Sequence, residues 1–169
     1  MTEKMTKEQL QSLYDAHVVP GIRKWKTIYG PGANDDLAFL LWATDLVLDD
    51  LELGQEEIIA ACRLDGKWDL KVDSAYTDRQ NQRIYLIQAK HWNSRKSIGN
   101  TPLIETWAAL DLLSNEKQVS KANRYTKEFY IEFCDAVKQH YEVKLCLATS
   151  GRVLQPQKDY AEKNLENSS

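Results

Sequence analysis

The chain reads as an α/β protein, a small mixed sheet flanked by helices. Three observations predict this class. Apolar residues recur at helical spacing through the first third of the sequence. The period then falls to two between Lys67 and Lys90. A long helical stretch follows, and one last apolar strand, Val143 to Ala148, closes the pattern. With 169 residues there is enough chain for one domain with a real core and hardly enough for two.

Taken in order, Thr6 to Val19 carries Leu10, Leu13, Tyr14 and Ala16 to Val18 at helical spacing, and Pro20-Gly21 is expected to interrupt that helix. Gly30 to Asn34 is a breaker loop. Asn34 or Asp35 is placed to cap the next helix, which runs to about Leu48 and is apolar almost all round, as a buried central helix would be. A shorter helix is expected to start near Gly54 and run to Cys62. From Lys67 to Thr77 residues alternate, with Leu70, Val72 and Tyr76 on one side and Asp69, Lys71, Asp73 and Ala75 on the other. Asp78 to Asn81 is a polar turn. Arg83 to Lys90 is the next strand, and its centre, Ile84-Tyr85-Leu86-Ile87, is apolar on both faces, which suits a strand covered on both sides. Pro102 opens a helical region reaching about Tyr141, with a break between Ser114 and Ser120. From Gln155 the chain is polar and is expected to fray. The organisation expected is therefore a helical extension over residues 1–33, a main domain over 34–154 and a polar tail over 155–169.

Composition narrows the function classes. Net charge is −3, so no global positive field draws the protein onto nucleic acid, and any such contact must come from a local patch. Cys62, Cys134 and Cys146 form no Cys-x-x-Cys pair and sit in apolar stretches, as buried thiols in a reducing compartment do. There is no signal-peptide pattern and no apolar run long enough to span a bilayer. The expected setting is the cytoplasm, away from membranes. His17, His91 and His140 show no zinc spacing. No glycine-rich loop follows a strand, and Ser150-Gly151 lacks the pattern of a hydrolase elbow.

The chemistry-bearing residues lie on the hairpin. If its turn holds an even number of residues, Asp73 falls opposite Leu86 and shares a face with Gln88 and Lys90; an odd turn would separate them. On a shared face the Asp73 carboxylate, the Gln88 amide oxygen and the Ala89 carbonyl form a set of hard oxygen donors suited to Mg²⁺, with Mn²⁺ an alternative ion. A bound divalent ion acidifies its water and stabilises charge on a phosphorus oxygen, and Lys90 is placed to orient that water or neutralise the transition state. Equally open on spacing alone is a structural reading. In it Asp73 makes a turn or an ion pair, and Gln88 and Lys90 are polar residues at a strand end.

The run from Asp73 to Lys90, with Ile84-Tyr85-Leu86-Ile87-Gln88-Ala89-Lys90, resembles the PD-(D/E)xK nuclease superfamily. That resemblance implies a restriction-endonuclease-like core of helix, three strands, helix and strand. Gln88 stands where the second acid usually sits, and Val72 precedes Asp73 where proline is usual. More narrowly, Asp65-Gly66, Asp73, Ile84 to Lys90 and Leu145 to Gly151 are similar to stretches in the N-terminal domain of AIPR (abortive infection, phage resistance) proteins. The resemblance implies Mg²⁺-dependent phosphodiester hydrolysis of nucleic acid, DNA ahead of RNA, in phage defence or restriction. It also implies an acid from the first core helix. Asp36 is favoured, although Asp35 and Asp36 serve a helix N-terminus just as well and Asp45 lies mid-helix. His91, Arg95 and Lys96, just after the strand, form a local basic segment able to grip phosphates. Lys121, Arg124 and Lys127 form a second basic stripe that a solvated helix face explains as well. The competing expectation is a catalytically silent nuclease-fold module that binds nucleic acid or a partner protein. A third is an oligomerisation domain of a larger defence protein, such as a homodimer.

Overall fold

The computed structural model describes residues 5–67, 70–92 and 95–167. Its element order begins with α1 (Lys7–Leu13), a π-helical turn (Tyr14–Val18), α2 (Val19–Tyr29), α3 (Asp35–Val47) and α4 (Gln55–Ala61). The hairpin follows as β1 (Ser74–Asp78) and β2 (Arg83–Lys90). Then come α5 (Thr101–Leu113), α6 (Glu116–Ser120), α7 (Arg124–Lys138), β3 (Glu142–Thr149) and α8 (Gln155–Asn167). The sheet order is β1-β2-β3, with β1 antiparallel and β3 parallel to the central β2. The class is the mixed α/β expected. Among the described residues, two strands rather than three precede α5; Trp68 and Asp69, within the expected first-strand region, lie outside them.

Helices cover both faces of the sheet. One core holds Val72, Ala75, Ile84 and Leu86 against α5 and α7, through Ala109, Leu113, Phe129 and Phe133. The other holds Ile87 against α2, α3 and α4, through Trp25, Phe39, Leu41 and Ile58. Burial of β2 from both sides answers its doubly apolar sequence. α3 is buried as expected, and its N-terminus is capped by Asn34, whose side chain accepts from Leu37 N–H at 2.8 Å.

Three stretches differ from the sequence expectation. Pro20-Gly21 does not interrupt the first helix: the chain stays helical from Lys7 to Tyr29, because a π turn just before Pro20 absorbs the missing donor. Gly21 is needed there for a separate reason. A Cβ at Gly21 would sit 2.3 Å from Trp42 Nε1, so the α2–α3 crossing requires glycine. Gly21→Ala is expected to cost about 1–3 kcal/mol, the range for overpacking a filled contact, read as a lower urea midpoint with an unchanged slope. The segment set apart as an extension thus contributes Ile22 and Trp25 to the α3 core.

Second, the strand expected over 67–77 begins only at Ser74, because Leu70 and Lys71 both adopt positive φ (55° and 67°), which an extended strand excludes. Third, the expected frayed tail is helix α8. Gln157 is buried, and its Oε1 accepts from Leu154 N–H at 2.9 Å across the start of the helix.

Candidate functional site

The hairpin turn is even, as the candidate site requires, but its register is not the expected one. Four residues, Arg79 to Gln82, separate Asp78 from Arg83, and Ala75 rather than Asp73 lies opposite Leu86. The Asp78 carboxylate sets this turn by accepting from Asn81 N–H at 3.1 Å and from its amide at 2.7 Å. The regular pairing ends at Ser74, which lies opposite Ile87.

The ladder is displaced by one residue at Asp73. Ser74 pairs with Ile87, yet Asp73 N–H also donates to Ile87 O at 2.9 Å, two residues against one as in a bulge. This explains why Val72 and Ala75, three apart, enter the same core. The Asp73 carboxylate then accepts from Ala89 N–H at 2.8 Å, where a continued strand would have offered a carbonyl. The structure thus brings the Asp73 carboxylate to the Ala89 N–H at the end of the sheet, while the Gln88 amide turns to Thr106 and Glu105 on α5.

Alternation along β2 sends Gln88 and Lys90 toward α5. Gln88 is buried, its Oε1 accepting from the Thr106 hydroxyl at 2.8 Å and its Nε2 donating to Glu105 at 3.4 Å. Glu105 also pairs with Lys90 Nζ at 3.0 Å and with Lys71 Nζ at 3.6 Å. Burial pushes the Glu105 carboxyl up, but the Lys90 hydrogen bond and charge, with those of Lys71, outweigh it and hold the carboxyl below its ordinary value. Glu105 is the residue sequence reading passed over. The available signal was a glutamate in Thr101–Leu113, a helix whose one other charge is Asp111. Its position restores an acid beside Gln88, where the strand itself lacks one.

Asp36 does not join this group. α3 packs on the Ile87 face of the sheet, whereas Gln88 and Lys90 face α5. Asp36 is exposed and accepts from His91, Nδ1 lying 2.9 Å from its Oδ1, while His91 Nε2 lies 2.8 Å from the Tyr14 hydroxyl. Neighbouring Asp35 pairs with Lys26, whose hydrogen bond lowers its carboxyl value. Asp45 lies 3.9 Å from Lys24.

The basic segment after β2 is largely turned inward. The His91 side chain is 4% exposed, stacked 5.0 Å from Phe39, with both ring nitrogens bonded. Arg95 is buried, its guanidinium bonded to the Ser150 and Trp92 carbonyls and lying 3.9 Å over the Tyr14 ring. Lys96 alone of the three is exposed; Asn93 and Ser94 lie outside the described residues. In the second stripe Arg124 pairs with Glu128 on its own helix. Cys62 is buried beside Thr44 and Ser74, and burial pushes its thiol up to about 12, so it stays protonated at neutral pH.

The donors present at the sheet end are a carboxylate oxygen, an amide oxygen and a nearby glutamate, all hard oxygens, and each carbonyl-type oxygen has two lone pairs to share. Hard oxygens are the donor type that Mg²⁺ takes, although the Gln88 oxygen already accepts from Thr106. Among the described residues no three Asp, Glu, His or Cys side chains are gathered as a metal cage. No helix among the described residues is long and apolar enough to cross a membrane. The chain matches no family model, no curated protein and no solved structure.

Proposed function

We propose that this protein is a metal-dependent phosphodiesterase of the PD-(D/E)xK type acting on nucleic acid, DNA ahead of RNA, as in phage defence. The observation that carries this reading is that Gln88 and Lys90 share Glu105 at the end of a mixed sheet at which Asp73 bonds to Ala89 N–H. In this reading Asp73 and Gln88, with the Ala89 carbonyl, hold Mg²⁺ or Mn²⁺. The ion supplies a nucleophilic water and a Lewis acid at the phosphorus oxygen. Lys90 would orient the attacking water and offset charge growing on the phosphate. Glu105 holds the Lys90 ammonium in the site and adds the acid that Gln88 does not provide. Lys96 is the exposed cation placed to meet the backbone, and Asp36 has no part in the centre.

A second reading has its own observation. Gln88 Oε1 is already bonded to Thr106, and Lys90 is already paired with Glu105, which is the pattern of a closed structural network. A silent module binding nucleic acid or a partner protein would look like this.

Plasmid nicking separates the two. With Mg²⁺ or Mn²⁺ the protein is expected to nick supercoiled DNA, Asp73→Ala to abolish nicking, and Gln88→Glu to increase it by strengthening the metal site. Intact plasmid in every case, with unchanged gel-shift binding, would establish the silent module.

A further inference from the structure

A second site lies apart from the Asp73 cluster. A cavity of about 270 Å³ opens between the π turn and the loop after β3, walled by Leu10, Leu13 and Val18 on one side and by Arg95 and Arg152 on the other, with His17 alongside. It sits beyond the C-terminal ends of the parallel pair β2 and β3, the end of a parallel sheet at which ligands ordinarily bind. Among the described residues no carboxylate lines it.

Arg95 decides its chemistry. A buried guanidinium ordinarily has a carboxylate partner, because burying an unpaired charge is costly. Arg95 has two carbonyls and a tyrosine face, and its Nε finds no partner among the described residues. Arg152 forms no ion pair among the described residues either, while its backbone is fixed by Arg152 N–H to Lys96 O at 2.9 Å and Ile98 N–H to Arg152 O at 3.0 Å. The preceding Gly151 permits this approach: a Cβ there would lie 2.5 Å from the Ile98 side chain. Tyr14, which carries the Arg95 guanidinium, is itself held by His91 and Asp36. One fixed guanidinium, and a second arginine held by its backbone, with no carboxylate among the described lining residues, form a site for a doubly charged oxyanion.

We propose that this cavity binds a phosphate monoester with a small apolar body, Arg95 and Arg152 gripping the phosphate and the Leu10–Leu13–Val18 wall covering the rest. Its volume, near the lower end of the range for small-molecule sites, admits a phosphate and about one ring system. A nucleoside 5′-monophosphate group has this chemistry, whether free or as the end of a polynucleotide. The proposal does not depend on hydrolysis at the Asp73 cluster.

The test is titration calorimetry of the full chain in EDTA, which silences any metal chemistry and reads binding alone. Inorganic phosphate and adenosine 5′-monophosphate are expected to bind saturably, and more tightly than acetate at equal ionic strength. Arg152→Gln is expected to weaken binding by about tenfold or more, the effect of losing one charge-assisted contact. Leu13→Glu, on an exposed helix position, is expected to abolish binding by placing a carboxylate at the rim without disturbing the fold. Short oligonucleotides with 5′-phosphate and 5′-hydroxyl ends identify the source. Preference for the phosphorylated end supports a polynucleotide terminus, and binding of the mononucleotide alone supports a free nucleotide. Phosphate binding no tighter than acetate, or unchanged in both variants, would overturn the proposal.

Discussion

Trp25→Ala is expected to lower the free energy of unfolding by about 3–5 kcal/mol, the range for truncating a large buried aromatic. Trp25 is 1% exposed and sits in the core that α2 shares with α3, so its removal empties the centre of the contact that joins the N-terminal helices to the sheet layer. Against a typical total of about 5–15 kcal/mol, this is enough to leave the chain marginal at 37 °C. Trp25→Phe discriminates between volume and hydrogen bonding. Trp25 Nε1 has no acceptor among the described residues, so the native state already bears the desolvation cost of that N–H, and phenylalanine removes it. The expected loss for Trp25→Phe is therefore well below that for alanine. Urea unfolding of the two variants checks this. Equal losses would mean that the indole N–H is satisfied in solution and that the ring alone does not account for the stability.

The helices were legible in the sequence because their ends are written in residue chemistry. Asn34 caps α3, Gly54 precedes α4, and Pro102 stands in the first turn of α5. The central strand was legible because Ile84 to Ile87 is apolar on both faces. What escaped reading has no local signature. Leu70 and Lys71 take positive φ although neither is glycine or asparagine, so the delayed start of β1 is imposed by packing rather than by propensity. The hairpin register depended on how far the Asp78 side chain wraps the turn, which moved the pairing by one residue in each strand while preserving parity. Parity is preserved along the paired strands, but the displacement at Asp73 sets its carboxylate on the Ala89 N–H while Gln88 bonds to α5. Arg95 reads as a surface cation beside Lys96, yet its partners are carbonyls and a tyrosine brought from distant parts of the chain. Glu105 was hidden for the same reason, since its relation to Lys90 depends on where α5 crosses the sheet.

The larger functional effect is expected at Lys90. In the proposed reading, Lys90→Ala should lower metal-dependent cleavage by about 10²–10³-fold, the usual loss when one group stabilising transition-state charge is removed. The fold should survive, because the Lys90–Glu105 pair is partly exposed and such pairs contribute about 1 kcal/mol or less. The variant also changes the acid limb of stability in a defined direction. Glu105 has a folded-state value held below its unfolded one, so its pairing stabilises the protein above the unfolded carboxyl value and is lost as pH falls through the folded value. Removing Lys90 takes away the larger part of that depression, and the fall in melting temperature between neutral and acid pH should become shallower. Glu105→Gln should flatten the same limb, since no carboxyl remains to titrate. The two variants therefore agree in stability whether the site is catalytic or silent, and cleavage alone separates the readings. Lys90→Ala and Glu105→Gln that unfold normally, with cleavage undiminished in both, would remove this corner of the sheet from the chemistry altogether.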